Sequence, residues 1–129
     1  PGMPEVGPVG MPVHLLRQGV RDMVRITDAR MSGTSYGTVV LHVAPEAAVG
    51  GPLAVVQDGD MIELDAMAGK LNLLVDEREI QRRLAAWKPA PPRFTHGYKA
   101  LWIDQVLQAP DGCDFKFCAE KDWLLKRQK

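Results

Sequence analysis

Net charge is the first thing this chain lacks: sixteen Lys and Arg balance sixteen Asp and Glu, so no long-range field gathers nucleic acid or an anionic membrane. It also lacks any apolar run near the roughly 18–20 residues of a membrane-spanning helix. The opening Pro1-Gly2-Met3-Pro4 is neither basic nor the apolar centre of a secretion signal. These absences exclude polyanion-binding and membrane-spanning classes, and the expectation is a soluble, cytoplasmic protein. Cysteine is scarce too. Cys113 and Cys118 are the only two, and two thiolates cannot complete a four-ligand zinc site or an iron–sulfur cluster. In the expected compartment both are read as reduced thiols. His14 has no second His or carboxylate at ligand spacing, and with His42 it is read as structural. No internal repeat or low-complexity tract breaks the chain. Its 129 residues suffice for one domain with a core and are too few for two ordinary ones.

What the chain does have is one loop unlike the rest. Asp28-Ala29-Arg30-Met31-Ser32-Gly33-Thr34-Ser35-Tyr36-Gly37 gathers small, polar and charged groups between two runs rich in β-branched residues. Met23-Val24-Arg25-Ile26-Thr27 precedes it and Thr38-Val39-Val40-Leu41-His42-Val43 follows. Both runs have strand length, which predicts a loop held at each end by a sheet. Gly33 and Gly37 permit positive φ and close ligand approach, and Ser32, Thr34, Ser35 and Tyr36 supply hydroxyls. Such a loop can bind an anion or present a nucleophile or base. It can equally be a connection whose side chains only cap its own backbone. Asp28 and Arg30 are read as a local pair that shapes it.

Elsewhere the pattern predicts a mixed α/β domain. Pro12 starts a short helix that ends near Gly19, and residues 44–49 make one helical turn before Gly50-Gly51-Pro52. Residues 53–57 and 61–65, joined by Asp58-Gly59, read as a hairpin, with residues 70–75 as a further strand. Five strands with short links imply a largely β, barrel-like sheet. Asp76 and Glu79 resemble a capping box ahead of a helix whose Ile80, Leu84 and Trp87 face inward, with Arg78, Arg82 and Arg83 on its solvated side. Tyr98, Leu101, Trp102 and Val106 mark a second amphipathic helix, read as core. Residues 1–10 are an irregular opening segment, 11–118 the domain and 119–129 a tail.

Pro1-Gly2-Met3-Pro4-Glu5, Ile26-Thr27-Asp28-Ala29-Arg30-Met31-Ser32-Gly33-Thr34, His42-Val43-Ala44-Pro45-Glu46-Ala47-Ala48-Val49-Gly50-Gly51-Pro52 and Asp58-Gly59-Asp60 resemble, in order and spacing, the C-terminal part of the dihydroxy-acid and sugar-acid dehydratases. Trp87-Lys88-Pro89 and Gly112-Cys113-Asp114-Phe115 continue the resemblance. The Asp-Ala-Arg-Met-Ser-Gly-Thr wording is closer to the sugar-acid branch of L-arabinonate type. A Gly-Arg-Phe-Ser-Gly-Gly type of loop would suit the branched-chain amino-acid branch.

The resemblance implies a swivelling β/β/α-type domain with a β-barrel-like sheet flanked by helices. It implies a hydro-lyase that turns a 2,3-dihydroxy sugar acid into a 2-keto-3-deoxy acid, with Mg²⁺ and an iron–sulfur (2Fe–2S) cluster as cofactors. By the same match Glu5 is a Mg²⁺ ligand and Ser32 is the catalytic base, acting as an alkoxide. Ser32, Gly33 and Thr34 bind the substrate. The cluster cysteines belong to a larger N-terminal domain, so the chain is expected to be a C-terminal domain that is inactive alone, within a homo-oligomer when full length. A dihydroxy-acid dehydratase of branched-chain amino-acid biosynthesis and a stand-alone non-catalytic binding or assembly module are the alternatives.

Overall fold

Two short strands, β1 (Arg25–Ile26) and β2 (Val39–Val40), run side by side in the computed structural model, which describes residues 9–31 and 35–119. They pair in parallel, Arg25 opposite Val39 and Ile26 opposite Val40. Arg25 N–H donates to Thr38 O at 3.1 Å and Thr27 N–H to Val40 O at 3.0 Å. A parallel pair needs a return of about a dozen residues. Here that return is the polar loop itself, which leaves the C-terminal end of β1 and enters β2 at the opposite end of the pair.

The second sheet is the hairpin β3 (Ile62–Asp65) and β4 (Lys70–Leu73). Its register follows from side-chain chemistry. Ile62 faces Leu73 and Leu64 faces Leu71 on the inner side. On the outer side Asn72 Nδ2 donates to Glu63 Oε2 at 2.7 Å, and Asp65 stands opposite Lys70. The hairpin expected from residues 53–65 is therefore displaced by one element. Pro52 has no N–H for a ladder and its fixed φ suits a helical first turn, so Pro52–Ala54 is a 3₁₀ turn. Residues 57–60 form a turn of their own, closed by Asp60 N–H to Gln57 O at 3.1 Å and by Gln57 N–H to Asp60 Oδ2 at 2.8 Å. The mixed helix-and-sheet class holds. Among the described residues, however, the strands form two separate two-stranded sheets and no closed barrel.

Helix α1 (Val13–Arg17) follows Pro12, and Gly19 ends it with φ at +84°. The turn Ala47–Val49 closes at Gly50, whose φ is +86°. Helix α2 (Glu77–Ala86) starts where Asp76 Oδ1 accepts from Arg78 N–H at 2.9 Å. Glu79 does not complete a reciprocal box. It accepts from Arg82 Nε at 2.7 Å and from Arg83 Nε at 2.8 Å. Arg83 departs from the solvated face expected of it: its side chain is only 12% exposed and its Nη1 lies 2.6 Å from Asp60 Oδ2. The 57–60 turn lies against that side of the helix and covers it.

Helix α3 (Gly97–Gln105) packs Trp102 edge-on against Phe115, centroids 5.3 Å apart, and the short α4 (Lys116–Ala119) follows. Tyr98 and Leu101, expected in the core, are 70% and 51% exposed. Among the described residues Ala29, Val55 and Val106 are the buried apolar ones. Between the two sheets and α2 lies an apolar cleft of about 670 Å³, walled by Ile26, Val40, Leu53, Leu71 and Leu84 among others. No described helix is long and apolar enough to cross a membrane.

Candidate functional site

The polar loop is fixed from three directions, and a guanidinium inside the sheet supplies the first. Arg25 stands in β1, only 8% exposed. Its Nη1 donates to the carbonyl of Val9 and, at 3.2 Å, to Ser35 Oγ; its Nη2 donates to the carbonyl of Tyr36. Ser35 Oγ donates to Val9 O at 3.1 Å, and Val9 N–H points at Met31 Sδ, 3.3 Å away. One planar fork thus joins the opening segment to the far arm of the loop. Among the described residues its Nε has no partner, and none of its partners is a carboxylate. Gly37 makes the arrangement possible. Its φ is +76°, and a Cβ there would run into Asp22 Oδ1 and come within 3.3 Å of Arg25 Nη2.

The second anchor is Asp28, whose Oδ2 accepts from Ala47 N–H at 2.7 Å. This ties the near arm of the loop to the first residue of the 3₁₀ turn, while Ala29 N–H bonds Thr27 Oγ1 at 3.0 Å. The third is Arg30, whose guanidinium carbon lies 6.0 Å from the Trp102 ring centroid, within cation–π range. The local pair expected between Asp28 and Arg30 thus gives way to two separate anchors: the carboxylate faces a backbone donor and the guanidinium faces a ring. Arg30 Nη2 is buried with no hydrogen-bond partner among the described residues. Glu46 N–H donates to Gln108 Oε1 at 2.8 Å, which holds the 44–50 region against the segment after α3.

Four residues singled out by sequence, Glu5, Ser32, Gly33 and Thr34, lie outside the described residues. Their described neighbours are brought together: Val9, Met31, Ser35 and Tyr36 meet around Arg25. Sequence reasoning took Arg25 only as part of a strand. The available signal was a charged residue in the middle of an apolar run. Cys113 and Cys118 are free thiols, the second exposed. Among the described residues no three His, Cys, Asp or Glu side chains gather as a metal site. Chemically, the arrangement offers a loop rich in hydroxyls whose two described arms, residues 28–31 and 35–37, are tied to the sheet, the 3₁₀ turn and Trp102.

Residues 1–113 match the sequence profile described as dihydroxy-acid/6-phosphogluconate dehydratase C-terminal. The chain is 61% identical over 123 residues to an L-arabonate dehydratase of Azospirillum brasilense, an alignment covering 91% of this chain and 21% of that protein. It is 55% identical over 117 residues to a 6-deoxy-6-sulfo-D-gluconate dehydratase of Pseudomonas putida, covering 91% and 20%. With a dihydroxy-acid dehydratase of Thermus thermophilus it shares 41% over 113 residues, covering 87% and 20%. The chain spans about a fifth of the length of these curated relatives.

Proposed function

The chain belongs to the dihydroxy-acid/6-phosphogluconate dehydratase family, and we infer that it is the C-terminal part of a hydro-lyase acting on a sugar acid. The reaction removes water from a 2,3-dihydroxy carboxylate. The enol so formed tautomerises to a 2-keto-3-deoxy acid. The observation that carries this reading is the 61% identity to the L-arabonate dehydratase, against 41–50% to the dihydroxy-acid dehydratases. The loop wording Asp28-Ala29-Arg30-Met31-Ser32-Gly33-Thr34 supports the same branch. The two small sheets and α2 are read as part of a swivelling β/β/α-type domain covering residues 11–118, between an irregular opening segment at 1–10 and a tail at 119–129.

The donor set of this chain does not fit a complete cluster or magnesium site. It has two cysteines, and among the described residues no three metal-ligating side chains converge. An iron–sulfur cluster and the remaining Mg²⁺ ligands are assigned to the N-terminal four-fifths of a homo-oligomeric enzyme. This chain's own part is proton transfer and substrate binding. Ser32 Oγ takes the proton from C2, and Gly33 N–H with the Thr34 hydroxyl holds substrate oxygens. A serine hydroxyl is far too weakly acidic to act so in open water, which makes a positive surrounding a requirement of the role.

The test uses the full-length enzyme. Ser32→Ala should lower kcat by at least about 10²–10⁴-fold, the usual size of general-base loss, with thermal midpoint nearly unchanged. Glu5→Gln should shift the Mg²⁺ concentration for half-maximal rate upward, so that added Mg²⁺ partly restores turnover. An aldonate and a branched 2,3-dihydroxy acid are assayed side by side to fix the branch. A Ser32→Ala enzyme retaining a tenth of parental kcat would remove serine from the base role.

A further inference from the structure

We propose that Arg25 is a positioning residue: its guanidinium fork joins Val9 to Ser35 and Tyr36, tying the chain that follows Glu5 in sequence to the arm that follows Ser32. The inference rests on the catalytic reading of Glu5 and Ser32 given above. It starts from an anomaly. A buried arginine normally meets a carboxylate, because a desolvated cation with no anion is expensive. Among the described residues Arg25, 8% exposed at the start of β1, bonds two backbone carbonyls and a hydroxyl instead, at Val9, Tyr36 and Ser35. No other residue type fits this duty. Lysine brings one point donor on a flexible stem, whereas the guanidinium presents several N–H groups in one plane and reaches both acceptors together.

The partners identify what is being held. Val9 lies four residues after Glu5 in sequence, and four residues of extended chain span at most about 14 Å. Met31 directly precedes Ser32, and its sulfur faces Val9 N–H at 3.3 Å. Ser35 follows Ser32 by three residues and binds both Arg25 and Val9 O. Gly37 reinforces the reading, since any side chain there would press on the guanidinium. The fork is therefore a joint between two chain segments distant in sequence. It does not serve as a cap for one of them.

The experiment uses the full-length enzyme with Arg25→Met, Arg25→Lys and Ser35→Ala, beside Ser32→Ala and Glu5→Gln. Steady-state kcat and KM, the Mg²⁺ midpoint of activity, and amide hydrogen exchange of residues 9–10 and 35–38 are read for each. Arg25→Met should lower kcat and raise the Mg²⁺ midpoint by about 10–100-fold, the usual effect of removing a supporting partner. KM should change less, and exchange should quicken in both segments together. Arg25→Lys should recover part of the loss. If Arg25→Met does not fold, Ser35→Ala decides, because it removes one arm and leaves the strand intact: a raised midpoint with faster exchange at residues 9–10 supports the joint. Unchanged exchange at 9–10 and a midpoint within twofold of the parent, in whichever of these variants folds, overturns it. Full turnover in Ser32→Ala would instead bring down the catalytic reading and this inference with it; loss in Ser32→Ala beside unaffected Arg25 variants would bring down the inference alone.

Discussion

Replacing Gly37 by alanine tests the architecture of the loop with the smallest available change. Two effects act. The backbone at Gly37 has φ of +76°, a region where an L residue costs about 1–2 kcal/mol. The new methyl also overlaps Asp22 Oδ1 and lies 3.3 Å from Arg25 Nη2. The two neighbours respond differently. Asp22 is exposed and can swing its carboxylate into water at little expense, whereas Arg25 is buried and bonded at both ends of its fork. A few tenths of an ångström of displacement there weakens bonds to carbonyl partners without breaking them. The sum is about 1–3 kcal/mol of destabilisation, or very roughly 3–12 °C in thermal midpoint for a domain of this size.

Two other glycines separate the terms. Gly59 has φ of +94° with nothing within 4 Å of a built Cβ, so Gly59→Ala carries the backbone term alone. Gly10 has neither a positive φ nor a neighbour, and Gly10→Ala should be neutral within about 0.5 kcal/mol. Urea denaturation followed by tryptophan fluorescence ranks the three. The expected order of stability is Gly10→Ala, then Gly59→Ala, then Gly37→Ala. A Gly37→Ala chain as stable as Gly10→Ala would refute both the left-handed turn and the tight approach to Arg25.

Asp28→Ala leaves Ala47 N–H without its 2.7 Å acceptor and should destabilise by about 1–2 kcal/mol, measured in the same urea series; Asp28→Asn, which keeps an acceptor oxygen, should lose less. Acid stability gives another test. Hydrogen bonds from Arg82 and then Arg83 hold the Glu79 carboxyl down at about 2, against an ordinary 4.5. The Arg83 bond, then the Gln57 N–H, holds Asp60 below its ordinary 3.8. Both folded values lie below the unfolded ones, so this stabilisation is complete above about pH 4.5 and is lost as pH falls toward 2. Thermal midpoints from pH 6 to 2 should fall across that window, and Arg83→Met should flatten the fall; an unchanged slope would remove Arg83 as the cause.

How legible these features were depends on how local their causes are. Helix α2 could be read from sequence because Asp76 caps it and Ile80, Leu84 and Trp87 repeat on one side, all within one stretch. The strand after Ala68-Gly69 was legible for the same reason, with Gly69 at φ +64° in the turn. The partner of that strand was not. Residues 53–56 are apolar at strand length, and only the 3₁₀ turn begun by Pro52 removes them from the ladder. Parallel pairing of β1 with β2 depends on backbone bonds between residues 14 apart in register, which leave no mark on side-chain periodicity. Arg83 looked solvated because its partner Asp60 stands 23 residues away.

Arg25 was the hardest to read, and the reason bears on how the loop is built. Two of its acceptors are main-chain carbonyls, and every residue has one, so no residue type in the sequence announces the contact. The apolar residues that do announce themselves contribute little here. Among the described residues the buried apolar ones are the modest side chains Ala29, Val55 and Val106, while Val13, Leu16, Tyr98 and Leu101 are each about half exposed or more. Burial is non-directional and fixes position only where large side chains interlock. Around residues 28–31 and 35–37 the contacts that fix the chain are directional: the Arg25 fork, the Asp28 carboxylate on Ala47 N–H and the Arg30 guanidinium over Trp102. Hydrogen bonds to charged groups contribute about 1.5–3 kcal/mol each and tolerate only small changes in angle. A loop held this way has its described arms kept in register by a few directional bonds, so removing any one of the three charged anchors should loosen the arm it holds and leave the other in place.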